Sequence, residues 1–310
     1  RHYLKNFSCD LEIREDGKKE YFIYSYERGT EPIRKNIREI ASQKDLYIFD
    51  DAETGEKSDE IEKLFRYMEN KAAPILDKKL IEKQDIKYLS DRQRADLSEF
   101  FSFLSTRTPA FANKMAGFEI ENKKTLIENT LQFDQFLKTN DLEKKDFFKD
   151  VDIKMTNANE YFLGFALELG LGLVNFFYDK NWHLLISRKD RAFITSDHPV
   201  QLIKRRGVPY GGFACSAIFI PISPSHCLML DDKARSKEVI FVSEKTVAKI
   251  NRCAMFFSDE NIYSKYSSKT TSRIYDATVK GEGQKTDITQ FGPYIISTDP
   301  QPDMFIEDIC

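Results

Sequence analysis

The run YFLGFALELGLGLVNFFY, residues 161–178, constrains the fold more than any other stretch of the chain. It is short of the roughly 20 apolar residues a helix needs to cross a bilayer, and Glu168, Asn175 and three glycines interrupt it. It therefore reads as a helix for the inside of a protein, and such a helix demands apolar partners on most of its sides. The chain supplies them before and after.

Residues 57–180 read as helical. Ser58 can cap DEIEKLFRYMENKAAPILDKKL, in which Ile61, Leu64, Phe65, Met68, Ala72, Ile75 and Leu76 recur at helical spacing, and Pro74 predicts a kink or a break. Ser90 with Gln93 makes a capping-box signature before ADLSEFFSFLSTRTP, where Leu97, Phe100, Phe101 and Leu104 form one stripe. Thr108-Pro109 should end that helix, and a charged helical stretch runs on to about residue 150. Residues 1–56 are β-like, with EYFIYSYE (20–27) alternating and DLYIFD (45–50) as a second aromatic run. Residues 181–265 are β-rich: WHLLIS, AFITS, VQLIK, ACSAIFIPIS and HCLMLD, closed by a helix that Ser243 and Glu244 begin. The tail, 266–310, reads as irregular. The expected fold is a single α+β domain in which the two β portions join into a mixed or antiparallel sheet packed against a group of α-helices.

Charge and cysteine content narrow the function. Lys plus Arg number 47 against 50 Asp plus Glu, so a net charge of −3 gives no global attraction to nucleic acid or membrane, though LIKRRG (202–207) is a local basic cluster. Cys9, Cys215, Cys227, Cys253 and Cys310 are odd in number without a C-x-x-C pair, which points to a reducing cytoplasm rather than to disulfides or structural zinc. His2, His183, His198 and His226 lack zinc-hydrolase spacing, and no P-loop or Rossmann glycine motif occurs. A magnesium or manganese nuclease built on scattered carboxylates would leave no such local signature. No apolar signal segment opens the chain, and the absence of an initiating Met before Arg1 suggests a natural beginning further upstream.

Candidate chemistry gathers where the strand AFITS ends in Thr195, Ser196, Asp197 and His198. Side chains alternate along a strand, so Ser196 and His198 share one face and Thr195 and Asp197 the other. Ser196 and His198 can be imagined as nucleophile and base, yet residues two apart on a strand sit about 6–7 Å apart, too far for a good catalytic hydrogen bond. The plainer reading has Ser196 and Asp197 bonding backbone amides in the turn before Pro199. Arg107, ending a helix at STRTP, can satisfy terminal carbonyls, hold a phosphate, or pair with a carboxylate such as Asp197. Ser223, flanked by Pro221 and Pro224 in IPISPSH, is displayed on a stiff turn but lacks the glycines of a nucleophile elbow. Asn251 lies among apolar helix neighbours and must find partners at the sheet or at a ligand.

The order of these pieces resembles a bacterial family, domain of unknown function 4238. The resemblance runs through RHYLKNFS, NIREIASQKDLYIFD, IEKLFRYMENKAAPIL, LSTRTPAF, WHLLIS with FITSDHPV, FIPISP and NRCAMFFSDENIYS. That family commonly opens His-His-Tyr-Val-Pro before Tyr-Leu-x-x-Phe; Tyr3, Leu4 and Phe7 match the latter, which implies that the histidine-bearing piece lies upstream of Arg1. His198 stands where the family commonly has Asn, which argues against an essential base there. The resemblance implies no activity.

The leading expectation is a bacterial cytoplasmic hydrolase or nuclease for a phosphate-containing substrate, a nucleotide or nucleic acid. Arg107, Ser196 and Asp197 would be catalytic, Asp197 would also hold magnesium or manganese, and Asn251, Ser223 and His198 would bind substrate. Two other readings stay open. The same residues would form a buried polar network in a non-catalytic protein, or Tyr21, Tyr24 and Tyr26 would dock a protein partner within a defence or toxin system. No membrane partner is expected.

Overall fold

The computed structural model describes residues 2–40, 49–50, 57–108, 158–188, 191–204, 216–278, 287–291 and 294–298, with scattered positions between 111 and 139. The helical stretch expected to run to about residue 150 and the basic residues 205 and 206 therefore lie outside or largely outside the described residues. In chain order the elements begin with α1 (His2–Lys5), β1 (Asp10–Ile13), β2 (Lys19–Glu27), β3 (Ile33–Asn36), β4 (Phe49–Asp50), β5 (Lys57–Ser58), α2 (Glu60–Pro74) and α3 (Asp91–Thr106). There follow α4 (Ala158–Asp179), β6 (Asn181–Ser187), β7 (Thr195–Ser196), β8 (Gln201–Lys204), β9 (Ser216–Ser223), β10 (His226–Asp231) and β11 (Val239–Val242). Last come α5 (Glu244–Phe257), β12 (Asn261–Ser264), α6 (Lys269–Ala277), β13 (Asp287–Phe291) and β14 (Tyr294–Thr298).

The fold is α+β, and its strands do not join into one sheet: ten lie in two five-stranded sheets, while β4–β5 and β13–β14 pair separately. The antiparallel sheet unites front and back of the chain: β2 pairs with β1, β3 and β12, and β12 pairs with β7. The mixed sheet runs β11-β6-β10-β9-β8, antiparallel except where β11 lies parallel to β6. Alternation along its strands gives it two apolar faces. Leu184, Ile186, Ile220 and Leu228 pack toward Leu76, Phe101 and Phe177 of the helices. Leu185, Phe219 and Met229 pack toward Val247, Ile250 and Cys253 of α5.

The apolar run forms α4, which is long and apolar enough to cross a membrane by length and composition, with a mean hydropathy of 1.3 over Phe162–Asp179. One side of it is buried; Gly164, Glu168, Leu171, Gly172, Asn175 and Asp179 make an exposed stripe at helical spacing. α4 crosses α3 at Gly170, where a Cβ would lie 2.5 Å from the Phe103 ring. The Ser102 hydroxyl donates to the Gly170 carbonyl, and Thr106 Oγ1 donates to Ala166 O at 3.0 Å.

Local signals resolve as follows. The capping box at Ser90 and Gln93 and the Ser243 cap both form. At the start of α2 the cap position is Asp59, whose side chain makes no cap bond, while Ser58 Oγ accepts from Glu60 N at 3.4 Å. α2 ends at Pro74, which has no N–H to donate, and the chain continues as eight residues of π-helix, Ile75–Glu82. Residues 269–277, expected to be irregular, form α6, and 287–298 carry the β13–β14 hairpin. Arg28 ties α6 to the front sheet by donating to Met255 O (3.1 Å), Tyr275 O (2.7 Å) and Thr278 O, with its guanidinium 4.2 Å from the Tyr275 ring centre.

Candidate functional site

The residues singled out at the end of β7 are held mainly by backbone. Ser196 Oγ donates to His198 O at 2.9 Å and accepts from His198 N at 3.2 Å, a closed local turn that leaves no base beside the hydroxyl. Asp197 accepts from Asp259 N (2.9 Å), Glu260 N (2.8 Å) and Asn261 N (2.7 Å), so both carboxylate oxygens hold the loop before β12. Burial pushes the Asp197 carboxyl above its ordinary value, against those three amides. His198 Nδ1 lies 3.1 Å from Thr108 Oγ1, joining the strand end to the end of α3. On the other face of β7, Thr195 Oγ1 meets the Tyr3 hydroxyl at 2.8 Å, and the same hydroxyl donates to Pro221 O.

Arg107 and Asp197 are not brought together as a pair. The Arg107 guanidinium meets Glu69 Oε1 at 3.0 Å and sits 5.3 Å from the ring centre of Phe65 and 5.7 Å from that of Phe100. The α2–α3 contact presents Glu69 to it, whereas the loop amides have claimed Asp197. Burial works to raise the Glu69 carboxyl, but the positive charge of Arg107 leads the influences that hold it below its ordinary value. Asn251 is likewise committed: its Oδ1 accepts from Ile194 N at 3.1 Å and its Nδ2 donates to Ala192 O at 2.9 Å, as a neighbouring strand would. Three amides take up most of the acceptor capacity of Asp197, which opposes the metal role expected of it, and among the described residues no three His, Cys, Asp or Glu side chains stand together to hold an ion.

The aromatic docking surface also changes. Tyr26 is fully buried, with its hydroxyl donating to Tyr266 O at 2.6 Å and accepting from Ser268 N at 2.9 Å. Tyr21 and Tyr24 are half-buried against two core clusters. Alternation along β2 put these tyrosines on strand faces but gave no sign that α6 would cover one of those faces.

The β9–β10 turn differs from all of these. Ser223 closes β9, Pro224 and Ser225 make the turn, and His226 opens β10 at a register irregularity. Bulges of this kind re-aim side chains at sheet margins. His226 Nδ1 lies 2.9 Å from Ser223 Oγ and 2.9 Å from Ser225 Oγ. Ser223 and His226 are buried, at 4% and 5% exposure, while Ser225 is exposed. Ser223 Oγ accepts from Ser225 N (3.3 Å) and His226 N (3.1 Å), which fixes the turn. The other ring nitrogen, Nε2, lies 3.4 Å from the side-chain amide nitrogen of Gln84. Burial disfavours the charged ring and so lowers the His226 pKa from its ordinary value, which favours the neutral form.

A hydroxyl, an imidazole and a third group on the far ring nitrogen are the parts of a nucleophile–base arrangement. Of the residues predicted from the sequence, only Ser223 lies in it. His226, Ser225 and Gln84 were missed; the available signal was Ser-Pro-Ser-His between two apolar strands, which puts two hydroxyls and a ring on one tight turn.

Comparison with known proteins adds the family. The family model described as Protein of unknown function (DUF4238) matches residues 1–268. The chain belongs to that family. No curated protein and no solved structure matches it.

Proposed function

We propose that this protein is a bacterial cytoplasmic hydrolase of a phosphate-containing substrate, working from the β9–β10 turn and not from the end of β7. The observation that carries the reading is the 2.9 Å approach of the exposed Ser225 hydroxyl to Nδ1 of the buried His226 ring. In this reading Ser225 Oγ attacks phosphorus as its proton passes to His226 Nδ1. The leaving oxygen departs with that proton, and water then hydrolyses the phosphoserine with His226 again as base. Basic residues near the turn support the phosphate class. The backbone of the loop after β6 is bonded to the turn through Ser187 N to Ser225 O (2.9 Å) and Phe193 N to Pro224 O (2.8 Å). That loop carries Arg188 and Arg191, and Lys83 precedes Gln84 in the chain.

The test is a screen of the purified chain against p-nitrophenyl phosphate, bis(p-nitrophenyl) phosphate, nucleotides and single-stranded nucleic acid, with and without magnesium or manganese. Hydrolysis that falls by at least ~10²-fold in Ser225→Ala, at an unchanged melting temperature, is the expected result. Equal hydrolysis by Ser225→Ala, or none by the parent, overturns the reading.

A further inference from the structure

Gln84 has a φ of +54°, the only positive φ on a non-glycine among the described residues. Asn and Asp take up this region more readily than Gln, so the conformation needs support from its surroundings. That support is visible. Gln84 follows the π-helical run Ile75–Glu82, whose end is closed by Asp85 N donating to Lys79 O at 2.8 Å. A single strained residue between a π-helical run and a turn aims one side chain at a partner 142 positions away, the Nε2 atom of His226. Strained backbone and π-helical turns concentrate at functional places.

We infer that Gln84 is a positioning residue that holds His226 as the Nε2–H tautomer and so keeps Nδ1 free to take a proton from serine; the inference rests on the hydrolase reading above. Hydrogen-bond accounting carries it. Ser223 Oγ already accepts two backbone N–H groups, so its remaining need is an acceptor for its own proton. Ser225 Oγ, at 3.4 Å, and His226 Nδ1, at 2.9 Å, are the acceptors in reach. If Nδ1 carried hydrogen, Ser223 would meet a third donor at 2.9 Å. With Nδ1 bare, either hydroxyl donates to it, and the ring hydrogen on Nε2 needs an acceptor across from it. The atom of Gln84 nearest Nε2 is its amide nitrogen, and a half-turn about the last side-chain bond exchanges that nitrogen for the amide oxygen and puts the acceptor there.

The experiment is ¹⁵N NMR of histidine-labelled protein, with His226 assigned by His226→Asn, alongside the rate at which a fluorophosphonate labels Ser225. Glycine suits a φ of +54°, so Gln84→Gly removes the side chain without straining the backbone. The parent is expected to show hydrogen on Nε2. Gln84→Gly should show a mixture of tautomers and about tenfold slower labelling, and Gln84→Glu should restore the single tautomer. A parent ring with hydrogen on Nδ1, or a ring unchanged in Gln84→Gly, overturns the inference even where Ser225 reacts. A parent ring with hydrogen on Nε2, dispersed in Gln84→Gly, beside an unreactive Ser225 supports the positioning role and contradicts the hydrolase reading alone.

Discussion

The end of β7 and the β9–β10 turn are both short polar stretches that contain serine and histidine at the margin of a sheet. They use their serines in opposite ways. At the end of β7, Ser196 and Asp197 bond backbone groups, and the principal work of each is to close a loop. At the turn, an exposed hydroxyl faces a ring nitrogen, and the opposite nitrogen faces an amide from another element. Polar side chains at a strand end are thus no sign of a site by themselves. What separates the two serines is the partner of the hydroxyl, a peptide group at Ser196 and an imidazole at Ser225.

The largest expected effect breaks the comparison if it fails. Asp197→Ala leaves three loop amides without their acceptor, and the loss should be about 2–4 kcal/mol, read as a shift in urea midpoint. An unchanged midpoint would return Asp197 to the list of residues kept for chemistry. Asn251→Ala removes a strand-like pair of bonds to Ala192 and Ile194 and should cost about 1–3 kcal/mol, with hydrolysis retained. A variant that folds as well as the parent but loses hydrolysis would place Asn251 at a ligand after all.

Ser225→Ala sharpens the contrast from the other side. Its hydroxyl is exposed, so stability should stay within about 0.5 kcal/mol while hydrolysis is lost. The acid limb of the parent's pH–rate profile should lie below pH 6.5, because burial lowers the His226 pKa and the base fails only when the ring is protonated. A limb above 6.5 would point to a different base.

The smallest effect belongs to Glu69. Its folded pKa is held below the ordinary 4.5, so the Arg107 pair stabilises the fold above that value, and this contribution is lost as pH falls through the folded pKa. Urea midpoints taken from about pH 5 down to about pH 3 should fall less steeply in Glu69→Gln than in the parent. Parallel curves would mean that the pair adds nothing.

Much of the fold was legible in residues close to one another. Ser90 and Gln93 announce the start of α3, Pro74 announces the end of α2, and alternation in WHLLIS places Leu184 and Leu185 on opposite faces of the mixed sheet. Long-range pairing was not legible. Nothing near EYFIYSYE indicates that β2 pairs with β12 rather than with the strands that follow WHLLIS. The site obeys the same limit. Asp197 looked available because the amides that occupy it lie 62 to 64 residues on, and Arg107 looked like its partner because Glu69 stood 38 residues back on another helix. His226 and Gln84 escaped notice for the converse reason: neither stands out in its own stretch, and only the packing of the π-helical run against the β9–β10 turn makes them neighbours.

The central claim is that Ser225 is an activated nucleophile, and covalent labelling tests it most directly. Parent protein treated with a fluorophosphonate at pH 7.5 should gain one phosphonyl group, mapped by peptide mass spectrometry to Ser225, and His226→Asn should not. A parent that gains no label, or labelling at Ser225 that survives loss of the His226 ring, would contradict it.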